Sequence, residues 1–526
     1  MFRSVLVANR GECACRVIRT LKRMGIRAVA VYSQADAQAL HVRMADEAVC
    51  IGPPEPAQSY LNIPRLIEVA RATGCQGVHP GWGFLAQNPA FARACADAGL
   101  KFIGPRPEVM ERMGDKVLAR RLAQEAGVPL VPGSRDAISD EEALRLAQEI
   151  GFPVMVKAAA GGGGVGIRVA TSPEDLRDLL PRARRLALGA FGSDQVYLER
   201  YVLNASHIEV QVLGDEHGNW VHLFERECSV QRRNQKIVEE TPSPKLTAHQ
   251  RQRLTQAALA LARHIGYTNA GTVEFLWTPQ GEFYFLEMNT RLQVEHPVTE
   301  MVTGLDIVEL QVRIAQGEPL PFRQEDIVPH GHAIEARVYP EDPDTFLPSG
   351  GTIERVVEPQ GEGIRVDSAL VEGYEVPLFY DPMLAKVIAW APTRGQAIGR
   401  LRDALKAFVL EGVKSNIPTL RAVLGDPAFI LGTYTTQLLA RIATVPRRRS
   451  AVTPTSAALS TDTEAVLHEA KRRPFLDPRL DGREEAVAAA LAYALALAPS
   501  PPSSTPSAWR RQGLVLQMLG RLGVGG

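Results

Sequence analysis

The sequence predicts an α/β protein with several domains, and three observations support this fold class. Apolar runs alternate with helical stretches as far as Ile103, which is typical of βαβ units around a parallel sheet. A glycine-rich loop at 158–166 joins two short strands of a smaller α+β unit. After Arg449 the composition shifts to Ser, Thr, Ala and Pro, which indicates a mostly linker-like tail.

The composition excludes several classes of protein. The 526 residues include 59 Lys+Arg and 59 Asp+Glu, so no net charge attracts nucleic acid or an acidic membrane surface. The longest uncharged apolar run, Ala486–Ala498, is too short to span a bilayer, and Arg3 comes too early for a signal peptide. The six cysteines form no Cys-x-x-Cys pair, so we expect free thiols and a cytoplasmic protein.

The first part of the chain predicts a parallel sheet. Strand Ser4–Ala8, helix Cys13–Met24 and strand Arg27–Tyr32 follow one another with βαβ spacing. The next units are helix Pro64–Thr73, strand Gly77–His79, helix Pro89–Ala98 and strand Lys101–Ile103. A dinucleotide-binding fold is the alternative, but the first turn lacks G-x-G-x-x-G. The loop His79–Phe84, rich in Gly and aromatic residues, is either a functional loop or a rigid turn.

Residues 131–203 predict a small α+β lid, preceded by a long helix that starts near Met113. Strand Val154–Lys157 enters a loop in which five of the six positions 161–166 are glycine. Successive N–H groups of such a loop cradle phosphate oxygens, and Lys157 adds a positive charge. The alternative is a flexible hairpin, because no Walker A sequence follows. The remaining elements are strand Ile167–Ala170, helix Glu174–Leu188 and strand Val196–Glu199.

Residues 204–445 predict a larger unit with two polar segments. His207–Leu213 alternates polar and apolar residues, so His207, Glu209 and Gln211 share a face, and Trp220–Val230 pairs with it. The cluster Gln231–Lys236 is either a solvated charged face or part of a site. Further elements are helix Thr247–Gly266, helix Ile307–Ala315, strands His332–Tyr339, Gly351–Val357 and Met383–Trp390, and helix Arg394–Leu410.

The strongest functional pattern begins at a predicted hairpin of Thr272–Leu276 and Phe283–Glu287, which flank a Pro/Gly turn. From Glu287 to Glu295 polar residues alternate with apolar ones, which predicts an extended segment with one polar face. Such a segment spans about 26 Å at ~3.3 Å per residue, so its ends cannot hold one metal ion. We therefore expect oxygen ligands for a cation at Glu287 and Asn289, and a second reactant from Arg291 to Glu295.

Together these segments resemble the biotin carboxylases, the ATP-grasp component of biotin-dependent carboxylases. The resemblance covers residues 2 to about 445. It is carried by Ala8–Glu12, His79–Leu85, Met113–Lys116, Lys157 with the glycine loop, Glu227–Ser229, Gln231–Lys236 and Glu287–Glu300. Other ATP-grasp ligases share the metal carboxylates but lack the Arg-x-Gln-x-Glu-His-Pro continuation that follows Thr290.

The resemblance implies an α+β ATP-grasp fold and a domain division. The expected parts are an N-terminal parallel α/β domain over 1–114, an ATP-grasp region over 115–317 with the mobile lid 131–203, a C-terminal mixed α/β domain over 318–446, and a tail over 447–526 with one Ala-rich helix, Glu484–Ala498.

The resemblance also implies site residues. Those implied for ATP are Lys116, Lys157, Gly163, Gly164, Glu199, Arg200, Tyr201, Val202, His207, Gln231, Asn234, Glu274 and Glu287. Glu274, Glu287 and Asn289 are implied ligands of Mg²⁺ or Mn²⁺, at two sites, which suits hard cations. Those implied for bicarbonate are Lys236, Arg291, Gln293, Val294 and Glu295. Arg337 is implied for biotin, and the implied catalytic residues are Arg291, Glu295, Lys236 and Arg337.

The implied reaction has two stages. Bicarbonate, deprotonated by Glu295, attacks the γ-phosphate of ATP to form carboxyphosphate, which breaks down to CO₂ and phosphate. Phosphate then removes the N1′ proton of biotin, while Arg291 and Arg337 stabilise the enolate that attacks CO₂. Positioned cationic charge, rather than covalent catalysis, is what phosphoryl transfer and an enolate both require.

Two positions depart from the commonest pattern of the family: Val165 replaces a basic residue and Asn234 replaces a histidine. No Met-Lys-Met biotin acceptor occurs, so biotin is expected on a separate carrier protein and not on this chain. The expected partners are a biotin carboxyl carrier protein, the carboxyltransferase subunits of an acyl-CoA carboxylase, and a second copy in a homodimer. Two alternatives remain: a non-catalytic, nucleotide-binding scaffold protein, and an ATP-grasp ligase for another carboxylate.

Overall fold

A parallel sheet forms the N-terminal region of the computed structural model, which describes residues 1–134, 136–158 and 168–444. Its strands are β1 (Ser4–Val7), β2 (Arg27–Ser33), β3 (Glu47–Gly52), β4 (Gly77–His79) and β5 (Lys101–Phe102). They lie in the order β3–β2–β1–β4–β5. The accompanying helices are α1 (Gly11–Arg23), α2 (Leu40–Met44), α3 (Ile63–Ala72), α4 (Pro89–Asp97) and α5 (Pro107–Gly114). The predicted parallel sheet is confirmed.

The lid follows α6 (Lys116–Glu125). It contains α7 (Asp140–Ile150), β6 (Val154–Ala158), β7 (Arg168–Ala170), α8 (Pro173–Phe191) and β8 (Val196–Arg200). Its sheet is antiparallel, in the order β7–β6–β8. Val154, Val156 and Leu198 pack into the apolar core of the lid. Because side chains alternate along a strand, Met155 and Lys157 face the opposite side, where they line a cleft.

An eight-stranded antiparallel sheet forms most of the rest. Its strands are β9 (Ser206–Gly214), β10 (Trp220–Arg232), β11 (Gln235–Thr241), β12 (Asn269–Trp277), β13 (Phe283–Asn289), β14 (His332–Val338), β17 (Ile364–Ser368) and β19 (Ala385–Ala391). They lie in the order β13–β12–β9–β10–β11–β14–β19–β17. Two small sheets pair β15 (Gly351–Thr352) with β18 (Glu375–Val376) and β16 (Arg355–Val357) with β20 (Val409–Glu411).

Helices cover both faces of this sheet. They are α9 (Ala248–His264), α10 (His296–Thr303), α11 (Ile307–Ala315), α12 (Arg394–Ala407), α13 (Ile417–Gly425), α14 (Pro427–Ile430) and α15 (Leu438–Thr444). On β14, Ile334 and Ala336 pack into the large core that contains α12 and α13, while Ala333 packs with Val298 and Val302 of α10 on the other face. The residues between Ala333 and Val338 that share the α10 face include Glu335 and Arg337, so this face of β14 is polar and buried.

The predicted extended segment from Glu287 to Glu295 is wrong beyond Asn289. Strand β13 ends there, and α10 begins at His296 with Pro297 in its first turn. Leu292 is fully buried in the core of the N-terminal region, so the chain turns away from the sheet instead of continuing along it. Proline in the first turn of a helix favours the start of α10 here, and so the end of the strand before it. The alternation of polar and apolar residues could not reveal where the strand ends.

Three smaller predictions also need correction. The helix expected from Met113 is divided between α5 and α6 around Asp115, whose side chain caps α6 by accepting a hydrogen bond from the Leu118 N–H. The strand expected at Gly351–Val357 is split between β15 and β16 in different sheets. The helix expected at Arg394–Leu410 ends at Ala407, and β20 follows.

Some predictions lie outside the described residues. These are the glycine loop with Gly163, Gly164 and Val165, and the tail 447–526 with its Ala-rich helix. The domain boundaries stay predictions; the eight-stranded sheet runs across the one at 317/318, because β11 pairs with β14. Within the residues that the structure describes, no helix is long and apolar enough to cross a membrane.

Candidate active site

A cleft of about 1240 Å³ lies between the lid and the eight-stranded sheet. Its lining includes the described residues that were predicted for ATP: Lys116, Lys157, Glu199, Arg200, Tyr201, Val202, His207, Gln231, Asn234, Glu274 and Glu287. Helix α6, the lid strands and the two residues after β8 supply the first part of this set, and the strands and turns of the large sheet supply the second. The structure therefore brings together residues that are far apart in sequence.

Charged residues mark the lid side of the cleft. The Glu199 carboxylate forms ion pairs with Lys157 on the neighbouring strand and with Arg120 on α6. Lys116 begins α6 and lines the same cleft. Burial lowers the pKa of Lys116, and the nearby positive charge of Lys157 lowers it further. Two lysines are thus held at this side of the cleft, and their charge suits phosphate oxygens.

His207 and Gln231 lie on the sheet side of the cleft. The Gln231 Nε2 lies 2.9 Å from His207 Nδ1 and donates to the Cys228 carbonyl at 2.9 Å, so the amide is held between two strands. His207 Nε2 is 3.0 Å from Glu274 Oε2. Burial opposes the charged imidazole, but the Glu274 carboxylate more than offsets it and raises the pKa of His207. Asn234 sits in the β10–β11 turn with a positive φ of 66°.

Glu274 and Glu287 face each other across β12 and β13, and Asn289 follows on the same strand. The Asn289 Nδ2 donates to Glu274 Oε1 at 2.8 Å. Desolvation by the surrounding protein raises the pKa of Glu287, and repulsion from Glu274 raises it further. Water still reaches the Glu287 side chain, because it lies in the open cleft. Two carboxylates and an amide oxygen in one position form a donor set suited to a divalent cation.

A second group of side chains has ligand atoms close enough together to hold a metal ion, but a lysine already neutralises its negative charge. One ligand atom each from His207, Glu209 and Glu274 lies within 4.8 Å of the others. The Lys236 ammonium occupies this group, because it forms ion pairs with both Glu209 and Glu274. Glu287 and Asn289, in contrast, line the open cleft, so the predicted cation set fits better.

Lys236 is the centre of the buried charge network. Its Nζ donates to Glu274 Oε1 at 2.8 Å and to Glu295 Oε1 at 2.6 Å, and it also pairs with Glu209. Burial opposes the charge, but these three carboxylates hold the pKa of Lys236 well above its ordinary value. The extended span expected from Glu287 to Glu295 is therefore wrong, because β13 ends at Asn289 and Lys236 joins Glu274, the cross-strand partner of Glu287, to Glu295.

A second cavity, of about 530 Å³, adjoins the first. The residues predicted for bicarbonate and biotin line it: Lys236, Arg291, Gln293, Val294, Glu295 and Arg337. His207, Asn234, Glu274, Glu287 and Asn289 line both cavities, so they form the boundary between them. Trp82, Gly83 and Phe84 line the second cavity, so the N-terminal loop belongs to the site.

Hydrogen bonds fix the turn that replaces the expected strand. Arg291 donates to Asn289 Oδ1 at 3.0 Å and to the Leu292 carbonyl at 3.1 Å. The Gln293 amide donates to Glu274 Oε1 at 2.8 Å and accepts from Arg226 at 2.8 Å. The Val294 carbonyl accepts from Lys386 Nζ at 2.9 Å. Gln293 and Val294 are thus tied to β10, β12 and β19, while Arg291 bonds within the turn and to the end of β13.

Glu295 lies between two cations. Lys236 is on one side, and Arg337 Nη2 donates to Glu295 Oε2 at 2.9 Å on the other. Burial would raise the pKa of Glu295, but Lys236, Arg337 and Arg226 together hold it well below the ordinary range. The carboxylate is therefore ionised at neutral pH.

The buried partners that hold this site were not predicted from the sequence. Arg226 is fully buried and donates to Glu209 at 2.5 Å and to Gln211 at 2.8 Å, besides its bond to Gln293. Glu239, Glu335 and Glu12 were also missed, although each is buried close to the second cavity. The shared polar face of His207, Glu209 and Gln211 was the one available signal.

The comparisons with known proteins agree with this geometry. Family models match as "Biotin carboxylase, N-terminal domain" over residues 1–110, "Carbamoyl-phosphate synthase L chain, ATP binding domain" over 115–323 and "Biotin carboxylase C-terminal domain" over 335–441. The biotin carboxylase of Halalkalibacterium halodurans is 53% identical over 437 residues, 83% of this chain and 97% of that one. The 2-oxoglutarate carboxylase small subunit of Hydrogenobacter thermophilus is 51% identical over 441 residues, covering 84% and 93%.

Solved structures share the fold. The biotin carboxylase domain dimer of Hydrogenobacter thermophilus 2-oxoglutarate carboxylase, in complex with MgADP, ADP and bicarbonate, has a TM-score of 0.81 at 49% identity, covering 85% of this chain and all of that one. Biotin carboxylase from Campylobacter jejuni also has a TM-score of 0.81, at 46% identity, covering 84% and 99%.

A small antiparallel lid beside a charged cleft on a large antiparallel sheet, with carboxylates lining the cleft, defines an ATP-grasp ligase. Within that class, the chain belongs to the biotin carboxylase family.

Proposed function

We propose that this protein catalyses the ATP- and bicarbonate-dependent carboxylation of biotin, with the individual roles assigned below. The observation that supports these roles best is the position of Lys236, which joins the carboxylates of the large cleft to Glu295 in the second cavity. A phosphoryl acceptor bound beside Glu295 would therefore lie next to the γ-phosphate of ATP in the large cleft. Such proximity is the main requirement of a transfer between two bound reactants.

The large cleft binds ATP in this proposal. Lys116 and Lys157 face the phosphates from the lid side, with Gly163 and Gly164 contributing N–H groups, while the other nucleotide residues are Glu199, Arg200, Tyr201, Val202, His207, Gln231 and Asn234. Glu274, Glu287 and Asn289 would hold Mg²⁺ or Mn²⁺ at two sites. A divalent cation bound there neutralises phosphate charge during transfer.

The second cavity binds bicarbonate and then biotin. Lys236, Arg291, Gln293 and the Val294 backbone hold the bicarbonate, and the ionised Glu295 accepts its proton. The bicarbonate oxygen attacks the γ-phosphate of ATP, ADP leaves, and the resulting carboxyphosphate breaks down to CO₂ and phosphate. Phosphate takes the N1′ proton of biotin, and the guanidinium groups of Arg291 and Arg337 stabilise the negative charge that develops on the biotin ring oxygen.

The assembly follows from the same assignment. The protein acts as one component of a biotin-dependent carboxylase and as a homodimer, as the dimeric Hydrogenobacter structure supports. Biotin arrives on a carrier protein, and carboxyltransferase subunits use the product. The transferase substrate is an acyl-CoA, although the Hydrogenobacter relative is named for a 2-oxo acid. Six free cysteines support a reducing, cytoplasmic location. The domain division at 114, 317 and 446 belongs to this proposal.

The test compares bicarbonate-dependent ADP release, with free biotin, for the wild type, Glu295→Gln and Arg291→Ala. Each variant should lose about 10²–10³ in rate, because each removes a charge that acts on the reacting groups. Glu411→Gln is the matched control: Glu411 is exposed on β20 and lies in neither cavity, so its rate should stay within about twofold. Equal rates for the wild type, Glu295→Gln and Arg291→Ala would contradict the assignment.

A further inference from the structure

Three buried carboxylates near the second cavity have no part in the reaction described above. Glu12, Glu239 and Glu335 are at most 3% exposed, and among the described residues none of their carboxylate oxygens has a hydrogen bond of good geometry. Glu12 and Glu239 each keep one ion pair, with Lys386 and with Arg337. Buried carboxylates without hydrogen bonds are costly, so a fold retains them only where another requirement outweighs that cost.

Glu12 lines the second cavity, but of these three residues Glu239 is the one that forms an ion pair with Arg337 among the described residues. It lies on β11 directly opposite Glu335 on β14, and Arg337, two residues further along β14, shares that face. Arg337 Nη2 forms an ion pair with Glu239 and donates to Glu295 at 2.9 Å. The Arg337 guanidinium is thus held between two carboxylates, one from the β11 strand and one from the turn that precedes α10.

We propose that Glu239 is a positioning residue for biotin carboxylation, which holds the Arg337 guanidinium in place from the side opposite to Glu295. This inference rests on the proposed role of Arg337 toward biotin. Without Glu239, Arg337 keeps Glu295 as its single carboxylate partner among the described residues, so it moves toward the proton acceptor and away from the position that faces the biotin oxygen. Glu239 itself touches neither reactant, and it acts through Arg337.

Several charged or titratable groups surround Glu239. They are Lys236 on its own strand, Glu335, Arg337 and Tyr339 on β14, Glu295 before α10 and Cys228 on β10. Burial raises the pKa of Glu239 to about 7, against the attraction of Arg337 and with the repulsion of Glu295. Below that pH Glu239 is neutral and releases Arg337 to Glu295; above it, the ionised carboxylate holds the guanidinium between both groups.

The experiment compares the wild type, Glu239→Gln and Glu335→Gln by steady-state kinetics with free biotin between pH 6 and 8.5. Glu239→Gln should lower kcat/KM for biotin by about 10²-fold, because a small displacement of a charge-stabilising group has that order of effect. KM for ATP should stay unchanged, and the rise of kcat/KM through pH 7 should disappear. Glu335→Gln is the matched control, since this equally buried glutamate contacts neither Arg337 nor Glu295 among the ion pairs of the described residues.

Glu239→Asp is the second variant, because the shorter side chain keeps the negative charge but places it one methylene further from Arg337. It should retain the inflection near pH 7 while KM for biotin rises. The inference is overturned if Glu239→Gln matches the wild type, if Glu335→Gln loses as much kcat/KM for biotin, or if KM for ATP rises in parallel. A wild type without biotin-stimulated ADP release would instead contradict the proposed function.

Discussion

Glu239 and Glu240 are consecutive residues of β11, yet their side chains lie on opposite faces of the eight-stranded sheet. Both are fully buried. Glu240 accepts hydrogen bonds from His332 at 2.6 Å, from Arg394 at 2.7 and 2.9 Å and from Tyr434 at 2.5 Å. Among the described residues Glu239 has a single ion-pair partner, Arg337. On one face of the sheet, the Glu240 carboxylate joins several elements through hydrogen bonds. On the other face, the Glu239 carboxylate has few partners, so its protonation can change.

The pKa values of Glu239 and Glu240 also differ, and for the same reason. Although burial opposes ionisation, the bonds from His332 and Arg394 lower the pKa of Glu240 to about 2, whereas burial raises the pKa of Glu239 to about 7. Burial is equal at the two positions, so the number of donors decides the direction of the shift. A fully partnered buried carboxylate is therefore a structural group, and an under-partnered one beside a cavity is a candidate functional group.

The largest effect is expected from Glu240→Ala. The change leaves the half-buried Arg394 and the buried His332 and Tyr434 without their common acceptor, so the free energy of unfolding should fall by about 3–5 kcal/mol. Urea unfolding followed by circular dichroism measures it. Glu411→Ala, which removes the exposed ion pair between Arg355 and Glu411, is the control and should cost less than about 1 kcal/mol. Equal losses in the two variants would show that Glu240 is not the structural carboxylate described above.

Lowering the pH should remove the stabilising contribution of the same residue, Glu240. The folded-state pKa of Glu240 lies below its ordinary value of 4.5, so its contribution is complete above about pH 4.5 and is lost as pH falls toward 2. We expect a loss of about 3 kcal/mol over that range from this residue. Urea unfolding of the wild type and Glu240→Gln at pH 5, 4 and 3 measures it, and their stabilities should converge as pH falls. Parallel curves would contradict the prediction.

The smallest effect, of opposite sign, is expected from Glu335→Gln. Burial holds the pKa of Glu335 well above 4.5, so the folded protein keeps a proton that the unfolded chain has released. Wild-type stability therefore decreases as pH rises above 4.5, and the glutamine variant should gain stability relative to the wild type between pH 5 and 7. Thermal unfolding at these two pH values tests this. A variant that loses stability relative to the wild type over this interval would show that Glu335 is ionised.

Much of the fold followed from local patterns. The β12–β13 hairpin was predicted from two aromatic runs around a turn, and the structure confirms its antiparallel pairing. The parallel N-terminal sheet was predicted from βαβ spacing and is also confirmed. The segment after Asn289 was predicted wrongly, because alternation of polar and apolar residues looks the same in a strand and in a turn whose side chains are buried in different directions.

The kinds of groups in the site, and their order along the chain, were present in the sequence, since carboxylates, amides and basic residues keep their chemistry wherever they lie. Their distances were not. Lys236 reaches Glu274 and Glu295, which lie 38 and 59 positions away, because β11, β12 and the start of α10 converge around one ammonium. Likewise, only folding placed Arg337 between Glu239 and Glu295 and gave the neighbouring Glu240 four donor contacts. Charge and periodicity are local properties of a chain, whereas burial and partnership arise when distant segments exclude water together.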